Sequence, residues 1–172
     1  MKGQLSIQYL VAFVVFIGIS TYIYFAYSQN VPSFLDEIRK ETYKSEVFQI
    51  SEMLMNDPGE PLEWSKSNVQ RIGLSDDSKD KQNYISKNKM DILKEYDCLK
   101  VSDYEELKNK IGTYENVTIM IFDVNLNDGS RQSLFSCFPP HGFTTSIKSK
   151  VVRYATYDDA GTTKVAEIII EL

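Results

Sequence analysis

The sequence predicts an α+β fold: a long N-terminal helix, transmembrane and then amphipathic, with a small extracytoplasmic head of about four antiparallel strands and short helices. Three observations lead there. From Leu10 to Tyr27 no side chain is charged. Apolar residues then recur at helical spacing from Phe34 to Met55. Beyond Asn116 the pattern changes to β-rich runs, interrupted by Asp128-Gly129 and by Asp158-Asp159-Ala160-Gly161.

The uncharged run is about 18 residues long, which at about 1.5 Å each gives about 27 Å, close to the thickness of a hydrocarbon core. It is too long for a secretory h-region, and no A-x-A-like cleavage site follows it. Tyr22, Tyr24 and Tyr27 gather at its far end, where amphipathic rings favour the membrane interface. A buried core helix, the alternative, would keep a polar face over this length. Lys2 and the terminal amine are the positive groups before the run, while Asp36, Glu37, Arg39 and Lys40 nearly cancel after it. By that narrow margin the N-terminus is expected in the cytoplasm and the head outside the cell, in a single-pass membrane protein.

After Tyr27 the segment Ser-Gln-Asn-Val-Pro is a polar break whose Pro32 either kinks a continuing helix or starts a new one. Phe34, Leu35, Ile38, Val47, Ile50, Leu54 and Met55 then form one face, with Asp36, Glu37, Arg39, Lys40, Glu41 and Lys44 on much of the other. Asn56-Asp57-Pro58-Gly59 stops the helix. Trp64 is expected as a core anchor, and Ser75 to Lys81 as an exposed loop. Ser86 is placed to cap a short helix through Tyr96 that buries Met90, Ile92 and Leu93. Ser102 or Asp103 caps another through Ile111, closed by Gly112. Asn116 to Val124 reads as a strand buried on both faces and Ser130 to Phe138 as its hairpin partner. Lys150 to Tyr157 and Thr163 to Leu172 make a second hairpin, in which Ile168, Ile170 and Leu172 alternate with Glu167 and Glu171, one face buried and the other wet.

The first residues are Met1-Lys2-Gly3-Gln4-Leu5-Ser6-Ile7-Gln8. A Lys-Gly pair, then Gln-x-Ser, then an apolar stretch resembles the class III signal peptide of archaeal type IV pilin-like proteins. The resemblance implies that a prepilin peptidase cuts the Gly3–Gln4 bond and leaves the helix attached. A side-chain-free Gly3 suits the close fit of a protease cleft. The chain departs from the family pattern at Gln8, where the family usually carries Glu. Glutamine keeps hydrogen bonding within a packed bundle without charge-assisted strength. Pro61, Trp64 and Arg71-Ile72-Gly73-Leu74 also resemble a recurrent segment of small archaeal pilin-like membrane proteins, in which a strand follows the Trp. Together these divide the chain into a leader (1–3), a transmembrane helix (4–28), its amphipathic continuation (29–58) and a head (59–172).

The family resemblance implies a structural subunit of a cell-surface filament or related membrane assembly, with self-assembly or other pilin-like subunits as partners. Gln8 and the individual head favour a minor or accessory role, whether in a pilus or in a secretion or uptake machine. The alternative is a monomeric membrane-anchored extracellular binding domain. A net charge of −5, from 19 basic and 24 acidic residues, argues against a nucleic-acid partner.

Cys98 and Cys137 both lie outside the membrane on this reading. An even count there favours a disulfide closing a loop of about 40 residues and contributing about 3–4 kcal/mol; two separate buried thiols are the alternative. No metal is expected, because His141 is the one histidine and the cysteine spacing is unlike a zinc motif. His141 sits in Phe-Pro-Pro-His-Gly and reads as a solvated loop residue, with no nucleophile or orienting carboxylate legible beside it. Asp123 to Asp128 alternates oxygen ligands, but Asp128 and Leu134 stand where a calcium loop needs Gly and Glu. Asp76, Asp77 and Asp80 read as a solvated loop. Asn116-Val117-Thr118 is an N-glycosylation sequon. No nucleotide loop, Ser-centred elbow or paired carboxylates mark an enzyme, and no cofactor is expected.

Overall fold

A computed structural model describes residues 7–79, 81–140 and 149–172. The elements, in chain order, are α1 (Ile7–Asn56), α2 (Lys87–Leu93), α3 (Val101–Ile111), β1 (Thr118–Val124), β2 (Arg131–Cys137), β3 (Lys150–Asp159) and β4 (Thr162–Glu171). The fold is α+β, as the change of hydrophobic period requires. The chain falls into two units, Met1–Glu41 and Thr42–Leu172.

In the first unit α1 carries no charge from Ile7 to Leu35. It is long and apolar enough to cross a membrane. Pro32 lies inside it without ending it. The side chains from Ile7 to Glu41 are exposed, with only Ala26 and Val31 half-buried. The apolar stripe read from sequence therefore divides: Phe34, Leu35 and Ile38 stay 62, 50 and 46% exposed.

In the second unit the last turns of α1 bury Val47, Ile50, Ser51, Leu54 and Met55. They share one core with Met90 and Leu93 of α2, Tyr104, Leu107 and Ile111 of α3, and one face of the sheet. The four strands are antiparallel in the order β2-β1-β4-β3. Ile119 and Ile121 of β1 stand opposite Ile170 and Ile168 of β4, so all four point into the core. Ala160 and Gly161 alone turn β3 into β4; both have positive φ (53° and 85°), as a two-residue hairpin demands. The β1–β2 connection is longer, with Asn125 N–H donating to Ser130 O at 3.0 Å and Gly129 N–H to Asn125 O at 2.8 Å.

Four local expectations are corrected. Arg71 to Leu74 is no strand; it makes an isolated bridge from Arg71 to Glu60, and the Ile72 and Leu74 amides donate to Lys110 O and Leu54 O. Its backbone bonds go to helix ends instead of a sheet ladder. α2 stops at Leu93 rather than Tyr96, because the next amides fold back onto i−3 carbonyls. α3 starts after Lys100, two or three residues early, so Ser102 and Asp103 lie in its first turn. Finally, Glu167 is only 2% exposed, so the far face of β4 is not wet there.

Trp64 meets its expectation as a core anchor. It is buried, and its indole N–H reaches Gly73 O at 3.0 Å and Pro58 O at 3.2 Å. Gly59 and Gly73 are packed against this site. A Cβ on Gly73 would lie 2.1 Å from Asp57 O, and one on Gly59 would lie 2.7 Å from the Trp64 indole nitrogen. Only residues without a side chain fit such an approach.

Candidate functional site

Two kinds of surface are candidates: the apolar flank of α1 and the polar clefts of the head. Gln8 lies in the first described turn of α1, exposed, with Tyr9, Leu10 and Val11 exposed beside it. Phe13, Phe16, Ile19 and Ile23 are 55, 65, 55 and 59% exposed, respectively. A Cβ on Gly18 would meet nothing within 4 Å. This flank offers apolar contact on every side of the helix, suited to lipid or to other apolar helices, and it has no charged group with which to do chemistry. Gly3 and Gln4, the expected cleavage pair, lie outside the described residues. So does His141.

Cys98 and Cys137 form a disulfide, with Cα atoms 5.3 Å apart. Cys98 follows α2 and Cys137 ends β2, so the bond ties the helical cover to an edge strand of the sheet. Both are buried, at 8 and 1% exposure. The sequence left paired and separate thiols open, and the fold brings them together.

Asn116 is half-buried just before β1, between exposed Glu115 and buried Val117. The Tyr104 hydroxyl clasps Val117 on both sides, accepting its N–H at 2.9 Å and donating to its carbonyl at 3.1 Å. Thr118 is fully buried, and its hydroxyl has no hydrogen-bond partner.

One cleft of about 670 Å³ is lined by Glu52 and Asn56 of α1, residues 75–77, 79 and 81–83 of the following loop, and Arg153. Two ion pairs hold part of its charge: Arg153 pairs with Glu52, and Lys79 Nζ lies 3.1 Å from Asp158. A second cleft of about 740 Å³ runs past Leu62, Asp76, Asp77 and Lys89. Lys89 is a buried lysine that the sequence did not mark. Its ammonium donates to Pro58 O at 2.5 Å and Ser75 O at 2.9 Å, pinning two loops together. Burial lowers its pKa against the raising pull of Asp76 and Asp77. A smaller cleft contains Lys87, Asp123, Tyr157, Asp159 and Lys164. Lys164 and Lys87 hold the Asp159 carboxyl at about 2. Burial, then the hydrogen bond with Asp123, pushes the Tyr157 phenol up.

Glu167 was also missed as a buried group, since its alternation with isoleucines read as a wet face. It accepts from the Tyr154 hydroxyl at 2.9 Å and faces Arg131 Nη1 at 3.1 Å. Both partners lie on neighbouring β-strands or beyond, so nothing local signalled them. In the β1–β2 turn, Asn125 and Asp128 carboxyl or amide oxygens accept Asn127 and Ser130 N–H at 3.0 and 2.8 Å, which makes them turn caps. Among the described residues no group of three or more His, Cys, Asp or Glu side chains is arranged to hold a metal.

Comparison with protein-family models, with curated proteins and with solved structures finds no match to this chain.

Proposed function

We propose that the chain is a type IV pilin-like structural subunit of a cell-surface filament or related membrane assembly, in a minor or accessory role. The observation that carries this reading is the uncharged stretch of α1 from Ile7 to Leu35, whose described side chains are exposed except for half-buried Ala26 and Val31. A membrane covers such a surface before assembly, and the apolar helices of neighbouring subunits cover it afterwards. The Lys2-Gly3-Gln4 start supports the same reading, as the point where a prepilin peptidase would free Gln4 as the new N-terminus. On this account the N-terminus begins in the cytoplasm and the head is extracellular.

A second reading, a monomeric anchored binding domain, draws on Gln8 in place of the family's Glu and on the two larger clefts. The intact mass and N-terminal peptide of the protein from its native membrane discriminate between them. A chain beginning at Gln4, with Gly3→Val remaining uncut, is the expected result. A chain that retains Met1 or Lys2 would overturn maturation and leave the anchored binding domain.

A further inference from the structure

We propose that Asn116 is an N-glycan acceptor that is open only before β1 joins the sheet, so that glycosylation and folding of the head compete for one segment. The inference takes the head as exported, and so rests on the reading above for its cellular setting.

A sequon needs both its asparagine and the hydroxyl two residues on. In the folded head these have different fates. Asn116 is half-buried, and its neighbours Tyr114 and Glu115 are exposed, so a sugar there has a way out to solvent. Thr118 is fully buried as the first residue of β1, paired with Glu171 of β4. Between them, the Tyr104 hydroxyl holds both backbone groups of Val117. A transferase that grips an extended Asn-Val-Thr would have to break this clasp and lift the strand end. The Thr118 hydroxyl, left without a hydrogen-bond partner in the fold, is the group that the fold withdraws from the enzyme.

The donor class is an oligosaccharide linked to a lipid through phosphate. The Asn116 side-chain nitrogen forms a bond to the anomeric carbon, the carbon–oxygen bond to the phosphate breaks, and the lipid phosphate leaves with the electron pair. The displaced amide proton passes to solvent.

The test uses full-length chain in detergent with a purified oligosaccharyltransferase and a lipid-pyrophosphate oligosaccharide. Native, disulfide-bonded chain is compared with chain reduced, carboxymethylated and verified as unfolded by circular dichroism. The readout is the mass of the tryptic peptide Ile111–Arg131, with Asn116→Gln as the blank. The unfolded chain should be modified more than about tenfold faster, since the folded chain reacts only through its open fraction. Equal rates would overturn the proposal, as would an unfolded chain that accepts no sugar. Chain glycosylated while reduced but not alkylated should then regain its disulfide and native spectrum on oxidation; failure to do so would overturn the claim that the fold accommodates the sugar. None of these results depends on which side of a membrane the head occupies. That question is answered separately, by protease access in intact cells.

Discussion

From Ile7 to Glu41, α1 keeps all its described side chains exposed except half-buried Ala26 and Val31, whereas the same helix between Val47 and Met55 sends five residues into the core of the head. Both stretches present large apolar side chains and both are helical, so these properties alone do not separate them. The difference is whether the chain supplies a second surface. Val47, Ile50 and Leu54 meet a sheet and two short helices, and each loses its water to protein. Phe13, Phe16 and Ile19 meet no other element of their own unit, so they contribute to whatever lies outside the chain. The head should accordingly carry the measurable folding stability, and the first unit should contribute little to it.

That contrast can be broken most forcefully at the disulfide. Replacing Cys98 and Cys137 together with alanine frees a loop of 39 residues and should cost about 4 kcal/mol, read from denaturant unfolding of the head. Gly73→Ala comes next. Its new Cβ would sit 2.1 Å from Asp57 O, and we expect a loss of about 3 kcal/mol, with the Trp64 fluorescence altered in the folded state.

Acid should then act on the head through Asp159. Its carboxyl is held at about 2, below the usual 3.8, first by Lys164 and then by Lys87. A lowered acid contributes stability above the unfolded pKa and loses it as pH falls through the folded one. Head stability should therefore decline from about pH 4 toward about 2, and Asp159→Asn should flatten that limb of the unfolding profile. A profile unchanged by the substitution would remove this ion cluster from the account.

Tyr96 gives a smaller effect of opposite sign. Its buried hydroxyl has no partner, so Tyr96→Phe should stabilise the head by about 1 kcal/mol in thermal or denaturant unfolding. Burial, followed by Glu106 and Asp103, pushes this phenol up to about 12. The stability tied to its neutral form is present below pH 10 and lost as pH rises through about 12, a limb that the Phe variant should lack. The smallest effect is expected at Phe13→Ala: less than about 0.5 kcal/mol on the head's unfolding, because Phe13 is 55% exposed and lies in the other unit. A large loss of head stability there would refute the division of labour between the units.

Much of this was legible because it is local. The absence of charge from Leu10 to Tyr27, the left-handed glycine at Gly112 and the turn at Ala160-Gly161 are decided within a few residues. Helix boundaries were less legible, since Ser102 and Asp103 look like caps in sequence, whereas α3 starts at Val101, with the Tyr104 N–H donating to Lys100 O at 3.0 Å. For the candidate sites, the sequon and the cysteines were visible as residues. Their states were not: burial of the Thr118 hydroxyl depends on β4, and the disulfide on how β2 meets the segment after α2.

The sequence by itself determined that this protein has a membrane-length apolar helix and an α+β head, because hydrophobic period and turn chemistry are properties of neighbours along the chain. Only the tertiary structure decided which polar groups are hidden. Glu167 lies among isoleucines that read as one wet and one dry face, yet it is buried by Tyr154 of β3 and paired with Arg131 of β2. Lys89, in a short helix with a polar sequence, is clasped by two loop carbonyls from residues 31 and 14 positions away. Burial of a charge is set by partners distant in sequence, and no local pattern encodes where they will stand.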